Sequence, residues 1–201
     1  MHKSSYDKMK QFIDKYLDKN KKLRILDIGS QDVNGTYRQL FENQNWDYIG
    51  ADMEDGKNVD IILKNVYRWN NIKANSFDVI ISGQAIEHIE FFWHTMYEIN
   101  RILKPSGKVC IIGPSGGFEH RYPLDCWRFY PDGMKALATY SKLNILEAYT
   151  QWDNLSYDDG SDVWHDSVLI AEKPIFSLRN KISFFIKREL LYICLPGHLK
   201  S

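Results

Sequence analysis

The sequence lacks the features that mark several special classes of protein. Its 201 residues include 26 Lys and Arg and 26 Asp and Glu, so no net charge attracts nucleic acid or an anionic membrane. Its three cysteines, Cys110, Cys126 and Cys194, show neither CxxC nor His spacing, which argues against a disulfide framework or a zinc site. No run of about 18 apolar residues offers a membrane span, and the N-terminal MHKSSYDKMK has no signal-peptide core. We therefore expect a cytoplasmic protein without a bound metal.

Glycine is scarce in the loop where a dinucleotide-binding protein would need it. The stretch LRILDIGSQDVNGTYRQLF, residues 23–41, predicts a buried strand, a turn and a helix, with only Gly29 and Gly35 in the loop. A dinucleotide fingerprint has three spaced glycines, because the backbone must wrap around the pyrophosphate. The sequence therefore disfavours a nicotinamide-dependent oxidoreductase, although it stays open as an alternative.

Apolar runs and helical patterns predict one α/β domain over residues 1–173. An N-terminal helix within residues 1–20 begins after the candidate caps Ser4 and Ser5 and ends near Asn20. Apolar runs without polar alternation predict parallel strands that are covered on both faces. These runs are LRILDI, WDYIGA, VDIIL, FDVIIS and KVCIIG.

The second half of the domain predicts two further helices and an antiparallel pair of strands. One helix runs from Phe91 to Leu103 and is ended by the breaker KPSG, and the other runs from Pro131 to about Ser141. The segments LNILEAYTQW and SVLIAEK predict two closing strands. Because only a short polar loop joins them, we expect this pair to be antiparallel.

Residues 174–201 form a basic amphipathic tail beyond the domain. Six apolar side chains share one face of a predicted helix: Leu178, Ile182, Phe185, Ile186, Leu190 and Ile193. The basic side chains of the tail are Arg179, Lys181, Lys187, Arg188 and Lys200. Three interpretations remain open: a helix packed on the domain, a homodimer contact, and an anchor peripheral to the inner face of the membrane.

Carboxylates close the first two predicted strands. Asp27 ends the first strand, just before Gly29, and Asp52 ends the second. In an open parallel sheet the ligand lies beyond the carboxyl ends of the strands, and a glycine there lets the backbone approach it. A carboxylate at the second strand end can accept hydrogen bonds from both hydroxyls of a ribose. On local sequence alone, a tight turn with an Asx hydrogen bond explains Asp27 and Gly29 equally well.

The order of the motifs resembles that of a known enzyme family. ILDIGS, YIGAD, SFDVIISGQAIEHIE, FFWHTMYEINRIL and LKPSGKVCIIGPS, followed by two closing strands, resemble the motifs of class I S-adenosylmethionine-dependent methyltransferases. The resemblance covers residues 23–173 and implies a three-layer Rossmann-like sandwich. Its seven-stranded sheet would be mostly parallel, with an antiparallel last strand. The implied cofactor is S-adenosylmethionine, with S-adenosylhomocysteine as product; it carries no pyrophosphate, in agreement with the reduced glycine loop.

By position, the resemblance implies nine cofactor-binding residues. They are Asp27, Gly29 and Ser30 beside the methionine part, Asp52 and Met53 at the ribose and adenine, Asn65 and Val66 at the adenine edge, and Gln84 and Ala85 on the methyl-donor side. At Lys64-Asn65 the family more usually has an acid. Asn65 can still accept a hydrogen bond through its amide oxygen.

Two histidines and one aromatic segment are candidates for the acceptor side. His88 and His120 are candidate bases for a proton of an acceptor hydroxyl, although His88 can equally orient its loop through Glu87. The segment HRYPLDCWRFYP combines charged and aromatic side chains that suit sugar recognition, with a packed surface lid as the alternative. Its candidate substrate-binding residues are Arg121, Asp125, Trp127, Arg128 and Tyr130.

These patterns predict transfer of a methyl group to an oxygen of a small molecule or glycan precursor. The stretches DIGSQDVNGTYR and HRYPLDCWRFYPDGMKAL are further similar to a bacterial subgroup encountered beside sugar and cell-surface glycan genes, which favours a role in polysaccharide biosynthesis. A nucleic-acid substrate lacks support, because the domain has no basic patch and SGQA stands where base-amine methyltransferases carry Asn/Asp-Pro-Pro-aromatic. The alternative from another class is a catalytically silent subunit of the same fold.

Overall fold

Seven strands form one sheet within residues 2–153 and 156–200, the part of the chain that the computed structural model describes. They are β1 (Leu23–Ile28), β2 (Trp46–Asp52), β3 (Ile61–Ile62), β4 (Phe77–Gly83), β5 (Leu103–Gly113), β6 (Asn144–Thr150) and β7 (Ser167–Glu172). Their order across the sheet is β3-β2-β1-β4-β5-β7-β6. The pairs from β3 to β5 are parallel, whereas β7 is antiparallel to both β5 and β6. The predicted sheet is thus confirmed.

Among the described residues, three helices cover the two faces of the sheet and make three layers: α1 (Lys3–Tyr16), α2 (Phe92–Ile102) and α3 (Pro131–Tyr140). A fourth helix, α4 (Leu178–Cys194), packs on the outside of α2. Alternate residues of the central strands point to opposite faces, so Ile25 packs in one cluster with Phe12 of α1. Leu26, the next residue, packs in the other cluster with Met96 of α2 and Met134 of α3. Each such fully buried side chain stabilises the fold by about 1.5–3 kcal/mol.

The start of α1 differs from the prediction. The helix begins at Lys3 with His2 as its N-cap residue, and it ends at Tyr16 rather than near Asn20. Ser4 and Ser5 lie inside the helix and are buried, so they are not its caps. The Ser4 hydroxyl instead donates to Oδ2 of the buried Asp166, at 2.6 Å. A tertiary hydrogen bond has taken the hydroxyl that the sequence pattern assigned to capping.

The helix predicted after β1 is also wrong. Residues 29–37 form a loop, and only a 3₁₀ helix, Arg38–Phe41, follows it. The loop backbone is held by local contacts: the Asp32 carboxylate accepts from the Gly35 amide at 2.8 Å, and the Asp32 amide donates to Lys57 O at 2.9 Å. Gly35 has a φ of 114°, a conformation that breaks a helix.

The remaining helix predictions agree with the structure to within a residue or two. The segment predicted from Phe91 to Leu103 is α2, and the one predicted from Pro131 to about Ser141 is α3. The KPSG breaker falls inside β5, where the register against β4 shifts: Phe77 pairs with Leu103, but Val79 pairs with Lys108. Residues 104–107 therefore bulge out of the pairing with β4, and β5 continues through the segment where a turn was predicted.

The tail folds as α4 and packs against α2 through its polar and aromatic side. The Phe184 ring stacks on Tyr97 with centroids 5.0 Å apart, and Arg188 forms an ion pair with the buried Glu98. None of the α4 side chains is itself buried, and its apolar stripe is exposed to solvent. Among residues 2–153 and 156–200, no helix combines the length and the hydropathy that a membrane span requires.

Candidate active site

The carboxyl ends of β1, β2 and β4 open into one cavity with a volume of about 740 Å³. Eleven of the sixteen predicted site residues line it: Asp27, Gly29, Ser30, Asp52, Met53, Val66, Gln84, Ala85, His88, His120 and Arg121. These residues lie far apart in sequence, and the parallel strands bring them together because their carboxyl ends share one edge of the sheet.

Asp27 is buried at the floor of the cavity and only half satisfied. Its Oδ2 atom accepts a hydrogen bond from the Tyr48 hydroxyl. Its Oδ1 atom is buried without a hydrogen-bond partner in the part of the chain that the structure describes. Burial raises the pKa of Asp27 to about 7, and the hydrogen bond from Tyr48 opposes this rise. The free oxygen is available to a hydrogen-bond donor of a bound ligand.

Gly29 brings the backbone of the first loop against the loop after β4. Its φ of +76° lies in the left-handed region, which a side chain disfavours. A Cβ atom at this position would lie 2.4 Å from Cβ of Ala85, so no side chain fits without displacing that loop. Glycine is required here for close approach, which the tight-turn interpretation does not explain.

Asp52 joins the second strand end to the first loop. Its Oδ2 accepts from the Gln31 amide at 2.9 Å, and its Oδ1 accepts from the Met53 amide at 2.7 Å. Ser30 adds a second link, because its hydroxyl donates to Asn58 O at 3.0 Å. The carboxylate is therefore fixed in orientation while it faces the cavity.

Asn65, predicted at the adenine edge, does not line the cavity. Its side-chain amide donates to Leu199 O at 2.8 Å, and its amide oxygen accepts from the Tyr67 amide at 2.8 Å. The neighbouring Val66 and the C-terminal Leu199 line the wall instead. Asn65 thus ties the end of the chain to the cavity wall.

Gln84 links the cavity to α1 through a buried polar network. It has a φ of +56°, and its Nε2 donates to Oδ1 of Asp166 at 2.9 Å. The other oxygen of Asp166 accepts from Ser4 and lies 3.9 Å from Nζ of Lys8. Oε1 of Gln84 is buried and has no hydrogen-bond partner among residues 2–153 and 156–200. The strained turn and the unsatisfied oxygen both mark this loop as a functional candidate.

Glu87, His88 and His120 form a cluster on the wall near Gln84. The rings of His88 and His120 meet edge to face with centroids 5.0 Å apart, and His88 Nε2 lies 3.7 Å from Glu87 Oε1. His88 Nδ1 is hydrogen-bonded to Leu124 O. Burial raises the pKa of Glu87 to about 8 and lowers the pKa of His88. The three side chains can bind a cation or move a proton.

Four predicted substrate-binding residues lie outside the cavity. Asp125 is buried and pairs with Arg128 through two hydrogen bonds of 2.6 and 2.9 Å. The Arg128 guanidinium also donates to the carbonyls of Gly116 and Phe118, so it holds the loop together. Hydrogen bonds from Arg128 hold the pKa of Asp125 far below its usual range. This pair organises the segment rather than facing a ligand.

The two aromatic candidates outside the cavity pack on the surface. Trp127 donates its indole N–H to Ile89 O and Glu90 O, both at 3.1 Å, and its ring meets Phe92 edge to face. Tyr130 stacks on Trp152 with centroids 6.0 Å apart. The aromatic ring that the same segment presents to the cavity belongs to Tyr122, which is exposed.

Some residues that line the cavity were not predicted from the sequence, because they lie near the ends of the chain or outside the recognised motifs. They include His2, Tyr37, Leu63, Tyr67, Trp69, Thr95, Tyr122 and Leu199. His2 and Leu199 reach the cavity only through the packing of α1 and of the C-terminal segment, so no local pattern could reveal them. The aromatic residues carried the ordinary signal of a hydrophobic core.

Comparison with known proteins agrees with this geometry. Residues 26–111 match the family described as a methyltransferase domain. The chain matches no curated protein sequence. The fold is shared with a chain of the complex between the Haloferax volcanii Trm112 methyltransferase activator and a methyltransferase, at 14% identity, with 86% of this chain and 91% of that chain covered and a TM-score of 0.63.

Two further solved structures share the fold. A SAM-dependent methyltransferase from Methanosarcina mazei is 14% identical, with 82% of this chain and 98% of that chain covered and a TM-score of 0.61. Haemonchus contortus phosphoethanolamine N-methyltransferase 2, in complex with S-adenosyl-L-methionine, is 16% identical, with 84% and 53% covered and a TM-score of 0.60. At such identities the structures show the fold alone. The family match over residues 26–111 supports a methyltransferase domain, and the solved structures support its fold.

Proposed function

We propose that this protein transfers a methyl group from S-adenosylmethionine to an oxygen of a small molecule or glycan precursor. The observation that carries the proposal is the half-satisfied carboxylate of Asp27, which lies beside Gly29 in the same cavity as Asp52. The methyltransferase-domain match over residues 26–111 supports it. The related fold of a protein in complex with S-adenosyl-L-methionine supports it further.

The cavity has the chemistry that this cofactor needs. Asp27 Oδ1 is a free acceptor for a cationic amine, and Asp52 presents a fixed carboxylate to ribose hydroxyls. Apolar side chains of Leu63, Val66 and Leu199 line the same cavity and suit a purine ring. When bound, S-adenosylmethionine supplies a methyl group on a sulfonium, which is a good leaving group. The chain's own task is to position the acceptor and to remove its proton.

The acceptor side is assigned to the wall formed by His88, His120 and the loop after β5. His88 Nδ1 bonds the Leu124 carbonyl, so that ring nitrogen carries the proton and Nε2 has a free lone pair. A positioned base of this kind contributes about 10²–10⁴-fold to a rate. Because both imidazoles line the cavity, either can receive a proton from an acceptor hydroxyl.

A glycan or sugar acceptor is favoured by the side chains at the rim. Tyr122 is exposed, lines the cavity and meets the His88 ring edge to face with centroids 6.3 Å apart. Its ring can pack against the apolar face of a sugar. Arg121 also lines the cavity and is exposed, with Glu119 as its ion-pair partner. We place Tyr122 and Arg121 at the acceptor, rather than Trp127, Arg128, Asp125 and Tyr130.

Calorimetric titration with S-adenosylmethionine and S-adenosylhomocysteine tests the cofactor. Asp52→Ala should weaken binding by about 1.5–3 kcal/mol, the range for hydrogen bonds to a charged group. Asp55→Ala is the matched control, since Asp55 is exposed and outside the cavity. Absence of binding at millimolar ligand, or tight binding of NAD instead, would contradict the proposal.

Labelled S-adenosylmethionine offered with nucleotide sugars and lipid-linked glycans tests the acceptor. Transfer to one of them, lost in Tyr122→Ala with cofactor binding intact, is the expected result. Cofactor binding without transfer to any oxygen acceptor would favour the catalytically silent subunit.

A further inference from the structure

We propose that Glu87, His88 and His120 form a binding site for one divalent metal ion in the wall of the cavity. Glu87 and His88 belong to the 3₁₀ helix Ile86–His88 after β4, and His120 lies in the loop after β5. One ligand atom from each of the three side chains lies within 4.8 Å of the other two. Two imidazoles and one carboxylate are a ligand set that proteins use for zinc and other divalent cations.

The carboxylate of Glu87 points into this cluster without a partner of its own. The side chain is fully buried, and neither of its oxygens has a hydrogen bond within the described part of the chain. His120 Nδ1 is also buried and without a hydrogen bond there, although Asp125 Oδ2 lies 3.4 Å away. Buried polar atoms are rarely left unsatisfied, because desolvation without a partner is unfavourable. A cation held between these atoms would satisfy them together.

The surroundings hold the His88 imidazole as a metal-binding imidazole is usually held, and they anchor the backbone of His120. His88 Nδ1 bonds the Leu124 carbonyl, which leaves Nε2 unprotonated and directed toward Glu87. The His120 amide donates to Asp125 Oδ2 at 2.7 Å, and Arg128 fixes that carboxylate. An imidazole whose second nitrogen bonds a carbonyl or carboxylate is the common arrangement around bound metals.

Binding requires the ligand atoms, which lie within 4.8 Å of one another, to move closer together. Ligand atoms about 2.1 Å from a tetrahedral ion lie about 3.4 Å from one another. The 3.7 Å between His88 Nε2 and Glu87 Oε1 is already close to that value. A histidine nitrogen that coordinates the ion cannot accept a proton, so in the metal-bound form His88 and His120 act as ligands rather than as bases. Three protein ligands leave a fourth position open toward the cavity, where an oxygen of a bound molecule can coordinate. That last step rests on the proposed function, whereas metal binding itself does not.

The sequence pattern alone does not predict this metal site. Glu87 and His88 are adjacent, but His120 is 32 residues away and lacks the short spacing that reveals zinc sites. The expectation that the protein holds no metal followed from the cysteines, which the cluster does not use. Only the fold of the loop after β5 brings His120 to the end of β4.

Titration of the untagged, chelator-treated full chain with Zn²⁺, Mn²⁺ and Co²⁺ tests the site without donor or acceptor. We expect one ion per chain, and visible absorption of bound Co²⁺ with imidazole ligation. Glu87→Gln and His120→Ala should each weaken binding at least tenfold, while His198→Ala, at an exposed histidine of the C-terminal segment, should leave it unchanged.

Two results would overturn the site: no stoichiometric binding to the wild type, or affinity unchanged in both cluster variants. His120 lies on a loop with its side chain partly exposed, so His120→Ala decides the question if Glu87→Gln fails to fold. If the proposed function is wrong but the metal site is right, the titrations give a different result. The metal would then bind as described, and S-adenosylhomocysteine would not.

We also infer, from a separate observation, that the outer face of α4 binds an anionic lipid surface. Seven large apolar side chains are exposed between residues 174 and 194: Ile175, Leu178, Ile182, Phe185, Ile186, Leu190 and Ile193. A contiguous exposed stripe of this size on a soluble fold marks an interaction surface.

Charge identifies the occupant of this face. Residues 174–201 contain five basic and one acidic side chain and so carry a net charge of +4, while the rest of the chain carries −4. Arg188 pairs with Glu98 and Lys187 lies over the Tyr140 ring, so both are held against the domain. Arg179 and Lys181 are exposed and supply the positive charge of the outer face. The single acid, Glu189, is paired with Arg68 and Arg188. A symmetric dimer through this face would place two copies of the same positive segment together. An anionic bilayer surface instead offers both an apolar layer and the opposite charge.

Sedimentation with phosphatidylglycerol-containing vesicles, against pure phosphatidylcholine vesicles, tests this surface. We expect binding to the anionic vesicles that weakens as salt is raised. Ile182→Ser with Phe185→Ser should abolish it, and Arg179→Glu with Lys181→Glu should weaken it at least tenfold. Val163→Ser, at an exposed apolar residue elsewhere, should have no effect. Absence of vesicle binding, or a solution dimer that the first double variant dissociates, would overturn the inference.

Discussion

Tyr48 on β2 donates its hydroxyl to the carboxylate of Asp27 at the end of β1. The Tyr48 ring packs against the Arg38 guanidinium, 4.6 Å from its centroid, and against Phe41, at 5.5 Å between centroids. Arg38 and Phe41 belong to the segment where a helix was predicted. That segment therefore supports the strand-end carboxylate through Tyr48, and it leaves one oxygen of Asp27 free for a ligand.

The raised pKa of Asp27 makes the stability of the fold depend on pH. Burial raises this pKa to about 7 in the folded state, whereas an unfolded Asp titrates near 4. Between about pH 4 and 7 the folded protein therefore holds a proton that the unfolded chain has lost. The free energy of unfolding should fall as pH rises through this window, by up to about 1.4 kcal/mol per pH unit from this group.

Urea unfolding of the wild type and Asp27→Asn from about pH 4 to about pH 8 measures this contribution. Asn imitates the neutral carboxyl, so the variant should match the wild type near pH 4 and should exceed its stability by a margin that grows up to about pH 7. Glu87, whose pKa burial raises to about 8, contributes a similar slope that remains in the variant. Equal slopes for the two proteins would show that folding does not raise the pKa of Asp27.

Gly29→Ala should disrupt the site by two separable effects. The left-handed φ of +76° strains any side chain, and the new Cβ would lie 2.4 Å from Cβ of Ala85. Gly160→Ala is a matched control, because its φ is +69° and nothing lies within 4 Å of its added Cβ. We expect about 1 kcal/mol of destabilisation in the control and about 2–3 kcal/mol in Gly29→Ala. Only Gly29→Ala should weaken S-adenosylhomocysteine binding more than tenfold; similar effects of both variants would refute the close-approach argument.

The sequence could predict the sheet because its signal is local. Each central strand is a short apolar run such as LRILDI or FDVIIS, and such runs are buried on both faces whatever lies above them. The carboxylates at the strand ends followed from topology, since parallel strands bring their carboxyl ends to one edge. Asp27 and Asp52 therefore reached the cavity as predicted.

What could not be predicted is which of two possible partners a polar side chain takes in the folded protein. Ser4 left its expected capping role because Asp166, 162 residues away, accepts its hydroxyl. Arg128 was expected to bind a ligand, but Asp125, three residues earlier, pairs with it inside the folded loop. In both cases a polar side chain with two chemically reasonable partners was assigned the wrong one, and only the tertiary packing decided between them.

Glu98 should be the main link between α4 and the domain. This carboxylate is buried on α2 and accepts from Arg188 of α4, from Arg101 at 2.8 Å and from the Trp69 amide at 3.0 Å. Burial acts to raise its pKa, but the hydrogen bonds from Arg188 and Arg101 hold the pKa below its ordinary value. Removing the charge leaves the largely buried Arg101 guanidinium without its carboxylate partner, and it leaves Arg188 with Glu189 alone.

Glu98→Gln should therefore lower the free energy of unfolding by about 3 kcal/mol, as measured by urea denaturation. Asp14→Asn, which breaks the exposed pair with Lys10, is the control and should change stability by less than about 0.5 kcal/mol. Limited proteolysis should release α4 from Glu98→Gln faster than from the control. A loss no larger than that of Asp14→Asn would mean that the aromatic stack of Phe184 on Tyr97 holds α4 instead.

The end of the chain should contribute to cofactor affinity, because Leu199 lines the cavity and Asn65 holds its carbonyl at 2.8 Å. Leu199→Ala removes apolar surface from the wall where we place the purine. It should weaken S-adenosylhomocysteine binding by about 1–2 kcal/mol, or roughly five- to thirtyfold.

Asn65→Ala should also weaken S-adenosylhomocysteine binding, by about 0.5–1.5 kcal/mol, since it loses the hydrogen bond that positions Leu199. Leu190→Ala, on the exposed face of α4, should leave the affinity unchanged. If calorimetry shows Leu199→Ala and Asn65→Ala at wild-type affinity while Asp52→Ala is weakened, the C-terminal segment is not part of the cofactor wall.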